Sequence, residues 1–301
     1  MTTPSLESLD VAGKQVLVRV DFNVPLDEEG AVTDDTRVRA ALPTIRYLVE
    51  RNAKVILMSH LGRPKGEVKP EFSTQAPASV LAELLGQDVL HTDDCVGWGA
   101  RKLAQDLDPG AVLMLENLRF HRGEKQGDAA FTDALAELGD LFVSDAFGVL
   151  HRAHASVSEL PARFEGRRAA GFLVQRELDK LGALNDSPGK PFVAVLGGAK
   201  VSDKMGVIEA LLRKVNVILI GGAMAYTFLK AKEVPTGGSR VEEDKVWLAK
   251  KLLDRANALG VAIRLPTDHV VSDSLENESG AEVRKDLPEG LMGLDLSLIH
   301  I

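Results

Sequence analysis

Asn185-Asp186-Ser187-Pro188-Gly189-Lys190-Pro191 is a dense cluster of turn formers between a long helical pattern, residues 172–184, and a new apolar run, Pro191-Phe192-Val193-Ala194-Val195-Leu196. Such a cluster reads as a boundary between two folded parts. Outward from it one rhythm repeats on both sides. Short apolar runs at 15–22, 54–59, 88–91, 111–115, 140–143, 191–196, 215–220 and 261–265 alternate with amphipathic stretches at 43–52, 76–85, 128–138, 172–184, 204–213 and 242–259. Most runs are rich in Val, Ile and Leu without strict alternation, as strands are when both faces of a parallel sheet are covered. Strand alternating with helix means α/β. Eight strands in 301 residues would also permit a single (β/α)8 barrel. The boundary at 185–191 favours two open α/β domains joined by the helix before it.

Composition excludes several classes. The formal net charge of −8 disfavours non-specific binding to nucleic acid or anionic membranes. Apolar residues at 45% and charged residues at 27% describe a globular chain with a sizeable core, not a disordered one. The single cysteine, Cys95, rules out an internal disulfide framework and points to a reducing compartment, the cytoplasm. The first ten residues carry two acids, no base and no apolar run, so no signal peptide is expected. The longest apolar stretch, 215–229, is too short for a membrane span and contains Asn216, Tyr226 and Thr227.

In open parallel sheets, ligands bind outside the carboxyl ends of the strands. The segments following the apolar runs carry Asp21, Asn23 and Pro25; Ser59-His60-Leu61-Gly62-Arg63-Pro64; Glu116-Asn117-Leu118-Arg119-Phe120-His121-Arg122; and Asp145-Ala146-Phe147-Gly148 with His151-Arg152-Ala153-His154. Asp34-Asp35-Thr36-Arg37-Val38-Arg39 opens a helix soon after the first run. A parallel sheet would bring Arg37, Arg63, Arg119, Arg152, His60 and His154 to one edge. Any one of these arginines could be a solvated surface residue. Four at successive strand ends call for an anionic partner, because guanidinium suits bidentate binding of phosphate or carboxylate.

In the second half, the run at 191–196 enters Gly197-Gly198-Ala199-Lys200-Val201-Ser202-Asp203-Lys204, and the next run ends in Gly221-Gly222-Ala223-Met224. Glycines admit a phosphate chain close to the backbone, and Lys200 and Lys204 add cations. Ser202 or Asp203 could simply cap the following helix. The spacing is neither a Walker A loop nor Gly-x-Gly-x-x-Gly, and Gly97-Trp98-Gly99 lacks the third glycine and a preceding strand. A nicotinamide oxidoreductase is thereby disfavoured. Zinc-ligand spacing and a Gly-x-Ser-x-Gly nucleophile turn are both absent. Cys95, near Trp98, reads as a packed thiol.

Five of these motifs together resemble phosphoglycerate kinase: Arg19-Val20-Asp21-Phe22-Asn23-Val24-Pro25, Ser59-His60-Leu61-Gly62-Arg63-Pro64, Leu115-Glu116-Asn117-Leu118-Arg119-Phe120, His151-Arg152-Ala153-His154-Ala155-Ser156 and Gly197-Gly198-Ala199-Lys200-Val201-Ser202-Asp203-Lys204. The likeness runs in order from near the start to about Asp295. It implies two Rossmann-like parallel-sheet domains facing a cleft, here with the second incomplete. Residues 1–171 would bind 3-phosphoglycerate or 1,3-bisphosphoglycerate, 172–190 would form the interdomain helix and hinge, and 191–295 a partial domain for Mg2+ with ADP or ATP. By resemblance, Asp21 and Asn23 hold the glycerate, and Arg37, His60, Arg63, Arg119 and Arg152 form the basic patch. Arg37 and Lys200 neutralise the phosphoryl group in transfer, and Lys204 holds the nucleotide phosphates. Gly198, Ala199, Gly221 and Gly222 border the nucleotide, and Gly293 lines its adenosine side. The resemblance also implies a glycolytic, monomeric, cytoplasmic enzyme.

After Asp295 the chain departs from the family pattern. Residues 296–301, with Ser297-Leu298-Ile299-His300-Ile301, read as a non-family tail. The family would continue with further strands and an acidic metal ligand, so no metal-binding residue is named. The expectations are a C-terminally shortened kinase with little activity, retained 3-phosphoglycerate binding, and partly exposed apolar positions in 193–196 and 217–220.

Overall fold

A computed structural model describes residues 4–186, 189–274 and 281–296. The chain divides into two compact units, Met1–Gly182 and Ala183–Ile301. The division falls inside a helix, Phe172–Asp186. Of the expected tail, 296–301, Leu296 ends the last strand, and 297–301 lie outside the described residues.

Unit 1 is built on six strands: β1 (Gln15–Val20), β2 (Lys54–Met58), β3 (Val89–His91), β4 (Val112–Met114), β5 (Leu141–Asp145) and β6 (Arg168–Ala170). Their order is β3-β4-β2-β1-β5-β6, and every pair is parallel. The sheet is open, which excludes the barrel. Successive residues of β1 alternate between two cores, as the pleat requires. Val16, Val18 and Val20 pack with Ile45, Leu48 and Leu81 on one face. Leu17 packs with Ile56, Phe142, Leu135 and Phe164 on the other. Helices on both faces explain why these strands show no polar alternation. The helices are α1 (Thr36–Glu50), α2 (Gln75–Leu85), α3 (Trp98–Asp106), α4 (Arg122–Gln126) and α5 (Ala129–Ala136), with α6 (Phe172–Asp186) leading out. The helical pattern at 43–52 and the opening at Asp34–Arg39 belong to one helix, α1, with Pro43 in its interior.

Asp145, at the end of β5, anchors the start of α6. Its Oδ1 accepts from the backbone N–H of Leu173 at 2.9 Å and Val174 at 3.3 Å. Thr44 of α1 takes the adjacent Phe172 N–H at 2.9 Å. Burial pushes the Asp145 carboxyl up to about 6, against hydrogen bonds from Thr44, Val174 and Leu173.

Unit 2 carries the parallel strands β7 (Val193–Leu196), β8 (Val217–Ile220) and β9 (Ala262–Arg264), in the order β7-β8-β9. Helices α7 (Met205–Leu211), α8 (Met224–Ala231) and α9 (Val246–Ala258) cover them. Ile218 and Ile220 bury against Ile208, Phe228 and Leu252. An antiparallel sheet, β10 (His269–Ser272), β11 (Glu282–Arg284) and β12 (Met292–Leu296), was not expected; its order is β11-β10-β12. The short strand β6 was also missed. These strands run three to five residues, too short for a periodic signal. The expected exposure is present on β7, where Val193 and Val195 are 42% and 62% exposed, whereas Ile218 and Ile220 of β8 are buried.

Candidate functional site

In unit 1 the sheet grows from β1 in both directions, through β2 to one side and β5 to the other. The crevice therefore opens beyond the carboxyl ends of β1 and β5. Arg19 sits there on β1, only 1% exposed. Its Nε donates to Ser156 Oγ at 2.9 Å, one Nη donates to the Val20 carbonyl, and Nη2 lies 3.1 Å from His60 Nδ1. Glu124, fully buried on α4, accepts from the Ser156 N–H at 3.0 Å and the Ser156 Oγ at 2.7 Å. His154 Nδ1 is 3.7 Å from the same carboxylate.

Asp21, one residue past β1, accepts from Arg37 Nη1 at 2.6 Å through Oδ2. Its Oδ1 is 3.7 Å from His60 Nδ1 and is buried without a hydrogen-bond partner. Arg119 donates through Nη1 to the Gly62 carbonyl at 2.7 Å. The Nε atoms of Arg119 and Arg152 are buried and unpartnered. Asn23 Oδ1 accepts the Gly62 N–H at 2.8 Å, so here it holds the loop carrying Arg63. Gly62 has φ +61, and a Cβ there would strike the Phe72 ring, so only glycine fits this turn. Arg63 is exposed and forms no hydrogen bond or ion pair to a described residue.

The structure thus joins Arg37, Asp21, His60, Arg119 and Arg152 to Arg19 in one cluster. The guanidiniums of Arg19, Arg37, Arg119 and Arg152 outnumber the carboxylates of Asp21 and Glu124. The crowding shows in the protonation equilibria. Burial, then Arg19, Arg119 and Arg152, pushes His60 down to about 2. Burial, then Arg152 and Arg19, pushes Arg119 down to about 10, with Glu124 and Asp21 opposing. Buried N–H donors without acceptors are costly unless a ligand supplies the acceptor. The arrangement suits a small, multiply charged anion.

In unit 2 the glycine loops at the ends of β7 and β8 pack backbone against backbone. Met224 N–H donates to the Gly198 carbonyl at 2.9 Å, and Gly221 N–H to the Leu196 carbonyl at 2.8 Å. Gly222 has φ +69, and a Cβ on it would stand 2.8 Å from Gly198 N and 2.9 Å from Gly198 O. Ala199 and Lys200 follow directly at the tip of the first loop, where Lys200 is exposed; Lys204 is half-buried. Neither lysine forms an ion pair with a described residue. Neither Ser202 nor Asp203 caps α7, whose first turn has no side-chain cap. Ser202 Oγ donates instead to Glu242 Oε1 at 2.7 Å. Gly293 lies in β12, its N–H donating to Ser239 Oγ at 3.0 Å, with the Tyr226 hydroxyl where a Cβ would be.

Among the described residues, one group has metal-ligand spacing: Asp94, Cys95 and His121 in unit 1, their ligand atoms within 4.8 Å of one another. His121 Nε2 is already 2.6 Å from Asp94 Oδ1, which also accepts the Cys95 N–H at 2.6 Å. The Cys95 thiol is buried in the core, and burial, then Asp94 and Glu124, pushes its pKa well up. It packs as a thiol, as its sequence setting indicates.

Sequence reading did not single out Arg19, Glu124, Ser156 or Glu242 as site residues. Arg19 carries a signal: an arginine inside an otherwise apolar strand must bury its charge among partners. Glu124 and Glu242 lie in charged stretches that read as solvated surface.

Comparison with known proteins follows the same line. A sequence model of the family "Phosphoglycerate kinase" matches residues 6–298. A phosphoglycerate kinase of Anaeromyxobacter sp. (strain K) is 56% identical over 302 residues, spanning 98% of this chain and 76% of its own length. The phosphoglycerate kinase structure from Coxiella burnetii superposes with a TM-score of 0.85 at 34% identity, over 99% of this chain and 75% of that one. That from Pyrococcus horikoshii OT3 gives 0.81 at 32%, over 98% and 76%. No helix among the described residues is long and apolar enough to cross a membrane.

Proposed function

The chain belongs to the phosphoglycerate kinase family, and on that premise we propose that it moves a phosphoryl group reversibly between 1,3-bisphosphoglycerate and ADP, giving 3-phosphoglycerate and ATP. The P–O bond to the acyl oxygen breaks, a P–O bond to the terminal ADP oxygen forms, and the carboxylate leaves. Such chemistry asks the protein for alignment and charge compensation rather than covalent participation.

The observation that carries the reading is the excess of guanidinium over carboxylate at the carboxyl end of the unit 1 sheet, Arg19 and Arg119 buried, Arg152 half-buried and Arg37 exposed, with the Nε atoms of Arg119 and Arg152 unpartnered. A phosphorylated hydroxy acid brings a phosphate and a carboxylate, enough charge to balance it. His60, Arg63, Arg119 and Arg152 take the anionic groups, with Arg19 buried behind them against His60, and Asp21 and Asn23 take the glycerate. Arg37, held on Asp21, is assigned to the phosphoryl group in transfer.

Lys200 is assigned to the same phosphoryl group and Lys204 to the nucleotide phosphates. Gly198, Ala199, Gly221 and Gly222 are assigned to the phosphate path, and Gly293 to the adenosine side. The close packing of Gly222 on Gly198, with two lysines lacking ion pairs beside it, supports a polyphosphate ligand. Magnesium enters with the nucleotide as part of the substrate. Residues 172–190 act as the hinge between the two functional parts; the free thiol of Cys95 fits a reducing compartment, the cytoplasm, and the reading as a monomer rests on the family resemblance alone.

Calorimetry of the full chain with 3-phosphoglycerate and with Mg-ADP, alongside a coupled assay of ATP formation, tests this directly. Binding of 3-phosphoglycerate that Arg119→Met abolishes is the expected result. A chain that binds neither ligand would sink the assignment.

A further inference from the structure

The phosphate loop of unit 2 is held from outside itself. Its turn is closed by Lys204 N–H on the Val201 carbonyl at 3.0 Å, and α7 offers no side-chain cap. Glu242, forty residues along the chain, reaches in before α9. Its Oε2 accepts from the Val201 N–H at 2.5 Å and the Ser202 N–H at 3.2 Å, and its Oε1 accepts from Ser202 Oγ at 2.7 Å. Its own N–H donates to Thr227 Oγ1 at 3.1 Å. Thr227 is buried on α8, the helix that the second glycine loop leads into. One residue is therefore bonded to both the loop that follows β7 and the helix that follows β8.

The neighbouring acids do something else. Glu243 pairs with Lys230 and Asp244 with Lys245, both at the surface. Of the run Glu242-Glu243-Asp244, only Glu242 turns its carboxylate onto the loop. Desolvation opposes that charge, and hydrogen bonds from Ser202 and Val201 prevail, holding the carboxyl below its usual range. Both oxygens are engaged by N–H and O–H donors, and the carboxylate forms no ion pair with Lys200 or Lys204, which stay open to a phosphate.

We infer that Glu242 is a positioning residue for the nucleotide phosphates: it fixes the backbone at Val201 and Ser202, so that Lys200 and Lys204 are presented in a set geometry beside the packed Gly198 and Gly222. This rests on the nucleotide reading of unit 2. Its specific consequence is that Glu242 acts on the phosphates and not on the nucleoside. A carboxylate that merely stabilised the unit would alter the affinity for both alike.

The test is calorimetry on the full chain with Mg-ADP, with adenosine and with 3-phosphoglycerate, for Glu242→Ala, Glu242→Gln and Lys204→Ala. Loss of charge-assisted hydrogen bonds should weaken Mg-ADP about tenfold in Glu242→Ala. Affinity for adenosine and 3-phosphoglycerate should stay as in the parent, and amide exchange at Val201 and Ser202 should accelerate. The isosteric Glu242→Gln keeps one acceptor oxygen and should fall between parent and Ala. It decides the matter if the Ala chain does not fold. Unchanged Mg-ADP affinity in both Glu242 variants, with Lys204→Ala weakened, overturns the positioning role and leaves the nucleotide reading standing. Equal loss of ADP and adenosine overturns it too. A parent chain that ignores Mg-ADP, or a Lys204→Ala chain that binds it normally, overturns the nucleotide reading and this inference with it.

Discussion

Nη2 of Arg19 lies 3.1 Å from Nδ1 of His60, both side chains buried at the carboxyl end of the first strand. A guanidinium has no acceptor, so Nδ1 is the acceptor and the imidazole proton resides on Nε2. His60 is thereby a neutral donor beside an excess of positive charge. Nitrogen-15 NMR should show one neutral Nε2–H tautomer for His60 from pH 5 to 8. An imidazolium titrating near 6.5 would contradict the arrangement.

His60 and Asp145 should tilt stability in opposite directions with pH. His60 has a folded pKa of about 2 against an ordinary 6.5, so below 6.5 the unfolded chain binds the extra proton. Its contribution is complete above 6.5 and is lost as pH falls, by about 1.4 kcal/mol per pH unit. Asp145 has a folded pKa of about 6 against 3.8, so there the native chain binds the extra proton. Its contribution is complete below about 4 and is lost as pH rises through 6, by about 3 kcal/mol in all. Urea midpoints should show Asp145→Asn gaining on the parent from pH 4 to 7, and His60→Asn gaining on the parent as pH falls below 6.5.

Arg152→Met should trade affinity for stability. It removes a like charge from beside Arg19 and Arg119, each of which feels Arg152. The unliganded chain should gain about 1 kcal/mol, as substitutions that relieve a built-in functional strain commonly do. Binding of 3-phosphoglycerate should weaken at least about tenfold, the worth of a charge-assisted contact. A variant less stable than the parent and equally tight for ligand would refute the charge-excess argument.

Two glycines in the left-handed region make a controlled pair. Gly86 ends α2 at φ +71 with nothing near a would-be Cβ, so Gly86→Ala should cost about 1 kcal/mol from backbone conformation alone. Gly222 has the same φ but faces the Gly198 backbone. Gly222→Ala should cost clearly more, about 3 kcal/mol, and should abolish Mg-ADP binding as the two loops separate. Equal melting temperatures for the two variants would show that the loops do not need their close approach.

Much of this architecture is written in local pattern. Val-rich runs such as Val16–Val20 declare strands covered on both faces, and glycines at 197–198 and 221–222 mark where a backbone must come close. His60, Arg119 and Arg152 could be placed after strand ends, and Arg37 at the opening of the helix that follows β1, because a parallel sheet delivers every strand end to the same edge. Asn23 shows the limit. Its position next to β1 is legible, but the Gly62 N–H that takes up its oxygen comes from a different strand end.

The sequence alone therefore determined the α/β class and marked a turn cluster at 185–191, because periodicity and turn chemistry are properties of neighbouring residues; its arginines argued for an anionic ligand on charge alone. Only the tertiary structure decided that Arg19 is buried among Ser156, Glu124 and His60, that Asp145 holds the start of α6, and that Glu242 and not Glu243 grips the glycine-rich loop after β7. Those contacts join residues up to 137 positions apart. Which carboxylate turns inward follows from how the elements pack, and no local pattern carries that information.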